Sequence, residues 1–144
     1  WPMAANTTNG ADVSAQDMTV KANKFVDQGT VPTMITTAGA ATYTAAQILG
    51  GVVWRDPSGA GRTDVLPTAA LLCGALINEQ VGDVIDFILV NEADAAETIT
   101  LSAGSGGGFD QLAATRIVPQ NTSRLVRIIL TNVTSGSEAY KVYM

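Results

Sequence analysis

Closely spaced β-type runs in the second half of the chain constrain its fold more than any other feature. Each run is rich in β-branched and aromatic residues, and polar or glycine-containing turns separate the runs, which occupy residues 84–91, 97–103, 112–118, 124–132 and 138–144. Regular spacing with short connections favours antiparallel pairing over a parallel sheet. The sequence therefore predicts an all-β domain, and specifically an antiparallel jelly-roll-like β-sandwich.

The alternation of side chains within two of these runs predicts which faces are buried. Residues 84–91 are apolar on both faces apart from Asp86, which predicts a central strand that is covered on both sides. In the run 124–132, alternate apolar residues share one face and Arg127 lies on the other. This second pattern is typical of a strand with a single core face.

A short helix followed by a strand is predicted ahead of the β-rich half. Thr44 is a suitable N-cap for a helix over residues 45–49, and either glycine that follows can end the helix in a left-handed conformation. The sequence GVVW then begins a strand. Because Trp54 closes this apolar run, we predict that its side chain belongs to the core.

A second helical segment is predicted over residues 66–77, with Asp64 or Thr68 as its cap. Helical spacing predicts a core face made by Leu71, Leu72, Ala75 and Leu76. The chain's single cysteine, Cys73, lies in the same apolar run and is predicted to be a small buried side chain rather than a reactive thiol.

The stretch RDPSGAGRTD, residues 55–64, combines turn-forming residues with charged ones. The four residues from Asp56 to Gly59 stand in the order preferred by a type I turn. Four charged side chains can pair across the loop: Arg55, Asp56, Arg62 and Asp64. This composition predicts a salt-bridged corner, with a ligand site or an intersubunit contact as the alternatives.

Two further arginines are candidate contact residues. Basic residues, including Arg124 and Arg127, gather near the C-terminus, whereas the segment 79–97 is acidic. This segregation suits contact between subunits, although a solvated strand face explains it equally well. With the four charged residues of the loop, these arginines complete the set of candidate intersubunit or surface contacts.

The absence of histidine limits the chemistry that the chain can perform. With one cysteine and no histidine, the usual Ser/His/Asp triads, Cys/His dyads and metal ligand sets cannot form. We therefore predict a protein that is not an enzyme and binds no cofactor. Five carboxylates lie close together in the sequence: Asp83, Asp86, Glu92, Asp94 and Glu97. We interpret them as solvated turn residues, and the alternatives are a cation site or acid–base chemistry.

The glycine-rich segment AGSGGGFD, residues 103–110, follows a predicted strand. A phosphate-binding loop would lead directly into a helix with a Lys-Ser/Thr pair, and this segment leads into another β-type run. We predict a flexible hairpin loop.

Composition predicts the class of partner. The formal net charge of -5 argues against nucleic-acid binding, and no apolar run is long enough to cross a bilayer. Only 15% of residues are charged, so Thr, Ser, Asn, Gln and Gly must fill much of the surface, as in proteins that pack against copies of themselves. We expect a homo-oligomer with neither a nucleic-acid nor a membrane partner.

The first part of the chain differs in composition from the rest. Residues 1–42 are rich in Ala, Thr, Asn and Gly, and only residues 18–26 alternate in the manner of an edge strand. We predict an N-terminal arm over 1–42, loose over its first sixteen residues, and a β-sandwich domain over 43–144.

Three segments carry a resemblance to a known family: YTAAQILGGVVWRDPSGAGRTDVLPTAALL, DAAETITLSAGSGGG and QNTSRLVRIILTNVTSGSEAYKVYM. From about Tyr43 onward the chain resembles small structural proteins of tailed bacteriophages, especially aquatic ones, of the capsid decoration or head-fibre type. The resemblance implies no catalytic motif. It implies that the loop 55–64 is a recurrent structural corner, and that the segment TNVTSGSEAY is a hairpin that returns the last strand to the sheet.

These observations lead to one expected function and two alternatives. We expect a virion protein on the capsid surface that decorates or cements an icosahedral shell, or forms a head fibre. We expect it to act as a homo-oligomer, and a trimer suits the three-fold positions of the shell. The expected partner is the major capsid protein or another virion protein. One alternative is a receptor- or carbohydrate-binding fibre module with Trp54, Tyr140 and Tyr143 as stacking residues. The other is a filament subunit assembled by strand addition.

Overall fold

The computed structural model describes residues 30–144, which form two β-sheets and two short α-helices. The predicted loose segment 1–16 and the predicted edge strand 18–26 lie outside the described residues. The elements in chain order are α1 (Ala45–Leu49), β1 (Val52–Arg55), β2 (Arg62–Val65), α2 (Ala69–Gly74), β3 (Val84–Asn91), β4 (Ile99–Ser102), β5 (Gly107–Phe109), a 3₁₀ turn (Ala113–Thr115), β6 (Ile117–Val118), β7 (Thr122–Asn132) and β8 (Ala139–Tyr143).

The strands are divided between a five-stranded sheet and a three-stranded sheet. The five-stranded sheet has the order β1-β3-β7-β8-β5, and the three-stranded sheet has the order β2-β4-β6. The prediction of a mostly β fold with two short helices is therefore confirmed, and two sheets are consistent with a sandwich-like arrangement. The jelly-roll-like order of strands stays a prediction.

Parallel pairing is the main departure from the sequence prediction. β1 pairs with β3, β2 with β4 and β5 with β8 in parallel, whereas β3–β7, β7–β8 and β4–β6 are antiparallel. The chain passes from the large sheet to the small one after β1 and again after β3. As a result, β1 and β3 run in the same direction in the large sheet, and β2 and β4 run in the same direction in the small one. The purely antiparallel prediction was wrong because short connections also join strands of different sheets.

Local sequence signals placed α1 correctly. The Thr44 hydroxyl accepts a hydrogen bond from the Gln47 amide at 3.2 Å, and the Gln47 side chain accepts one from the Thr44 amide at 2.8 Å, which forms a capping box. Gly51, with φ of 83°, supplies the predicted left-handed residue after the helix. The strand predicted after it is β1.

The second helix is shorter than the sequence indicated. Thr68 caps α2, and Leu72 and Cys73 are buried as predicted. The rest of the predicted core face was partly wrong, because Leu71 is 61% exposed and Ala75 lies outside the helix. A six-residue helix contacts the core over little more than one turn.

The glycine-rich segment is only partly a loop. Gly107–Phe109 forms β5, which pairs with β8, so the prediction of a flexible hairpin loop was wrong for these residues. A side chain at Gly107 would overlap the ring of Tyr140. The Tyr140 hydroxyl accepts from the Gly104 amide at 3.0 Å and donates to the Pro67 carbonyl at 2.8 Å. The missing side chain at Gly107 therefore lets a buried tyrosine lie against the strand.

The chain that precedes α1 runs along the edges of both sheets. Ile35 forms a parallel bridge with Arg55 of β1, and Thr42 forms one with Val65 of β2. Ala41 is buried in the core. The boundary predicted at residue 43 stays a prediction, but ordered contacts with the domain already occur within residues 35–42.

The core lies along the inner face of the large sheet and includes side chains of the small sheet and both helices. Its largest members include Phe87, Leu89, Leu101, Ile128 and Leu130, all of which are at most 1% exposed. Within residues 30–144, none of the helices is long and apolar enough to cross a membrane.

Candidate functional site

The loop between β1 and β2 is built around a buried ion pair. Arg55 Nε lies 2.8 Å from Asp64 Oδ2, and both side chains have no exposed surface. The Asp64 carboxylate also accepts hydrogen bonds from the Tyr43 hydroxyl and the Ala41 amide, each at 2.7 Å. The salt-bridged corner predicted from the sequence is confirmed, with Arg55 and Asp64 as its pair.

The guanidinium of Arg55 also holds the chain segment that precedes α1. Its terminal nitrogens donate to four backbone carbonyls, those of Ile35, Thr37, Gly39 and Asp56, at 3.2, 2.8, 2.6 and 2.6 Å. A buried charge is tolerated only when such bonds replace its hydration. These bonds fix the path of residues 35–39 along the edge of β1.

Burial determines the protonation state of Tyr43 in the same cluster. Desolvation, followed by the negative charge of Asp64, raises the pKa of the Tyr43 hydroxyl far above its ordinary value. The hydroxyl therefore remains a hydrogen-bond donor throughout the ordinary pH range. The Arg55, Asp64 and Tyr43 side chains are all engaged in internal hydrogen bonds, so this cluster stabilises the fold.

The turn inside the loop differs from the predicted type. Ser58 has φ of 52° and Gly59 has φ of 89°, whereas a type I turn requires negative φ at its third residue. The amide of Ser58 donates to Asp56 Oδ1 at 2.9 Å. The type I prediction was therefore wrong, because this side-chain hydrogen bond favours a left-handed Ser58.

The predicted contact residues do not gather on one surface. Arg55 and Asp64 are interior, Asp56 is half-buried, and Arg62 donates to the carbonyls of Pro57 and Ser58 within its own loop. The remaining two residues lie on β7. Their role in intersubunit contact stays a prediction, and of the four charged residues of the loop only Asp56 and Arg62 have surface left for another molecule.

The two arginines of β7 point to opposite sides of the large sheet. Arg124 donates to the carbonyls of Thr115 and Ile117 at 2.7 and 3.2 Å, beside the small sheet. Arg127 forms a bidentate pair with Asp86 of β3 at 2.8 and 2.7 Å on the other side. The predicted separation of Arg127 from the core face of β7 is confirmed.

We call the side of the large sheet that faces away from the core the outer face. It includes Val52, Trp54, Val84, Asp86, Ile88, Val90, Leu125, Arg127, Ile129, Lys141 and Tyr143. Four of its apolar side chains remain substantially exposed: Val84 by 51%, Ile88 by 42%, Leu125 by 55% and Tyr143 by 42%. This face is the largest group of exposed apolar side chains on adjacent strands in the described chain.

Strand register brings these apolar side chains together. Val84 is opposite Ile129, and Ile88 is opposite Leu125, across the β3–β7 pair. The prediction that β3 is central is confirmed, but the prediction that both of its faces are covered is wrong for residues 30–144. An exposed apolar group of this kind on a folded domain is typical of a binding surface.

The charges on the outer face are paired with one another. Asp86 lies between Val84 and Ile88, and the hydrogen bonds and charge of Arg127 lower the pKa of its carboxyl. A hydrogen bond from Lys141 to Asp110 at 2.5 Å raises the pKa of the Lys141 ammonium. Both pairs are solvent-exposed, so they add little stability. The Glu92 carboxylate, which accepts a hydrogen bond from the Trp54 indole, belongs to none of the ion pairs of residues 30–144.

Two of the three aromatic residues considered for glycan stacking differ from their predicted settings. Tyr140 is 1% exposed and hydrogen-bonded inside the core, so it cannot stack on a surface ligand. Trp54 is half-buried on the outer face and its indole donates to the Glu92 carboxylate. The core prediction for Trp54 was wrong because Arg55, its neighbour in the strand, occupies the inward position.

Carboxylates from two separate loops lie close together beyond the ends of β1 and β3. Asp56, Asp94 and Glu97 each place a carboxylate oxygen within 4.8 Å of the other two. The sequence pattern indicated Asp94 and Glu97 but gave no reason to add Asp56. Only the parallel pairing of β1 with β3 brings Asp56 to this position.

Comparisons with known proteins add no relative to these observations. No family model, curated protein or solved structure matches the chain.

Proposed function

We propose that this chain is a non-enzymatic structural protein of a tailed-bacteriophage virion that decorates or cements the icosahedral capsid as a homo-oligomer. The observation that carries the proposal is the outer face of the large sheet, where apolar side chains of adjacent strands are exposed and the charges are paired. The sequence resemblance described above supplies the phage context.

Self-association through a sheet face follows from simple energetics. Burying exposed apolar surface contributes about 25 cal/mol per Å², so contact between the exposed side chains of two subunits favours association. The Asp86–Arg127 pair can be enclosed without leaving an unpaired charge. Oligomer formation then multiplies the number of capsid contacts per particle, which raises the effective affinity for the shell.

A trimer on three-fold positions of the shell, in contact with the major capsid protein, is the form we propose. Eight strands in two sheets are also the number found in jelly-roll shell proteins, and a jelly-roll-like description of this domain remains part of the proposal. The capsid surface is the corresponding location.

Filament assembly by strand addition is less favoured by the sheet edges. Ile35 exchanges backbone hydrogen bonds with Trp54 and Asp56 beside β1, and Val65 of β2 bonds to Ala41 and Tyr43. The other two edge strands of residues 30–144 are β5, with three residues, and β6, with two. Short or occupied edges accept an added strand poorly.

Co-sedimentation with capsid shells tests the proposal. Shells assembled from the same phage's major capsid protein, but without this chain, are mixed with the purified protein and centrifuged through a density gradient. We expect saturable binding in a fixed ratio to the capsid protein and greater resistance of the shells to heat. Shells that bind none of the folded oligomer would refute a capsid role, and binding to a glycan array instead would favour the fibre-module alternative.

A further inference from the structure

Two of the connections between the sheets lie side by side at one end of the molecule. Residues 56–61 join β1 to β2, and residues 92–98 join β3 to β4. The Glu92 amide donates to the Arg55 carbonyl and the Arg62 amide donates to the Thr98 carbonyl, each at 2.9 Å. The parallel pairs therefore hold the two connections side by side where they begin and where they end.

The carboxylate cluster defined above spans these two connections. Asp56 comes from the first, and Asp94 and Glu97 come from the second, with one oxygen of each within 4.8 Å of the others. Negative charges at this separation repel one another unless a proton or a cation lies between them. The backbone nevertheless fixes the cluster, because the buried Asn91 side chain donates to the Glu97 carbonyl at 2.9 Å.

Glu97 supplies an independent sign of a ligand. Its side chain is buried, with the residue only 6% exposed, and its Oε2 atom has no hydrogen-bond partner among the described residues. A buried carboxylate oxygen without a donor is costly, and native structures generally satisfy such atoms with protein, water or an ion.

Basic side chains do not neutralise the cluster within residues 30–144. The ion pairs there join Arg55 to Asp64, Arg127 to Asp86 and Lys141 to Asp110, and none of them includes a member of the cluster. Arg62, which is on the same loop as Asp56, donates to backbone carbonyls. Because the described residues supply no basic partner, a cation from solution can compensate the charge of the cluster.

We propose that Asp56, Asp94 and Glu97 bind a calcium ion. The donors are all hard carboxylate oxygens, which suit calcium or magnesium, and the cluster contains neither a histidine nor a cysteine that would favour a transition metal. Ligands from two irregular loops fit the flexible coordination of calcium better than the strict octahedron of magnesium. The bound ion links the two connections and so fastens one sheet to the other.

Isothermal titration of the full chain with calcium chloride, after EDTA treatment and dialysis, tests this site. We expect one calcium ion per chain with a Kd on the order of 10⁻⁴ M, and a melting temperature that rises with calcium concentration. Magnesium should bind more weakly. Two neutralising variants, Glu97→Gln and Asp94→Asn, should each weaken calcium binding by about tenfold or more.

The matched control is Glu79→Gln, which removes one negative charge outside the cluster and should retain the wild-type affinity. Because Asp94 is exposed, Asp94→Asn tests the site even if Glu97→Gln does not fold. The proposal is overturned if the wild type shows neither heat of binding nor a melting shift in 10 mM calcium, a concentration about a hundred times the expected Kd. It is also overturned if the folded Asp94→Asn variant binds calcium as well as the control does.

Discussion

Two arginine–aspartate pairs with the same shortest Nε contact make different contributions to this molecule. In both pairs an arginine Nε lies 2.8 Å from a carboxylate oxygen, but Arg55 and Asp64 are fully buried whereas Arg127 and Asp86 lie on the outer face. The buried pair bonds to five backbone groups and a tyrosine. The comparison teaches that burial and surrounding bonds, rather than the distance between charges, decide what an ion pair contributes.

Neutralising the aspartate of each pair should separate the two most clearly. Asp64→Asn leaves the charge of Arg55 buried without its counter-charge, so we expect a loss of about 3–5 kcal/mol in the free energy of unfolding. The matched change Asp86→Asn should produce a far smaller loss, because water replaces most of the missing interaction. Urea denaturation of both variants measures the difference, and equal losses would show that burial is not the deciding variable.

Removing the Tyr43 hydroxyl is the next largest test of the buried pair. Tyr43→Phe deletes a hydrogen bond to a charged carboxylate, and we expect a loss of about 1.5–3 kcal/mol at neutral pH. Chemical denaturation at pH 7 measures this change. A variant as stable as the wild type would mean that the hydroxyl contributes nothing to the corner.

The same variant sharpens the pH dependence. Because burial raises the pKa of Tyr43 in the folded state, its contribution is complete below the unfolded pKa of 10.0 and is lost as the pH rises above it. The stability difference between the wild type and Tyr43→Phe should therefore shrink above pH 10. A difference that stays constant to higher pH would contradict the buried, neutral phenol.

The smallest expected effect concerns the exposed pair. The hydrogen bonds and charge of Arg127 lower the pKa of Asp86 below its ordinary value of 3.8, so this carboxylate contributes to stability above that pH and loses its contribution as the pH falls through the lowered pKa. Arg127→Gln should raise the pKa of Asp86 back towards 3.8. NMR titration of the Asp86 carboxyl measures the shift, and a pKa unchanged by the variant would exclude Arg127 as the cause.

The sequence predicted the elements whose signals are local. β3, β7 and β8 follow from runs of β-branched and aromatic residues, and α1 follows from Thr44 as its N-cap. β2 was missed because its sequence RTDV has no apolar alternation; it is held by pairing with β4 and by Asp64. Its place in the fold depends on residues far along the chain.

The candidate sites were harder to predict because they depend on pairing between distant strands. A fully buried arginine is rare, so sequence rules assigned the inward position of β1 to Trp54 instead of Arg55. The carboxylate cluster required the parallel pairing of β1 with β3, which the antiparallel prediction excluded. The exposure of the outer face could not be predicted from the sequence, because the apolar run of β3 does not show that only one side of its sheet is covered within residues 30–144.

The most direct test of the central claim, that the outer face joins copies of this chain, is molar mass by light scattering over a range of concentrations. The wild type and two matched variants are compared: Leu125→Glu on the outer face and Leu71→Glu on α2, whose side chains are similarly exposed at 55% and 61%. We predict that the wild type and Leu71→Glu form a discrete oligomer, with a trimer at three times the chain mass of 14.9 kDa, and that Leu125→Glu is a folded monomer. A monomeric wild type at every concentration, or an oligomer that survives Leu125→Glu, would contradict the account.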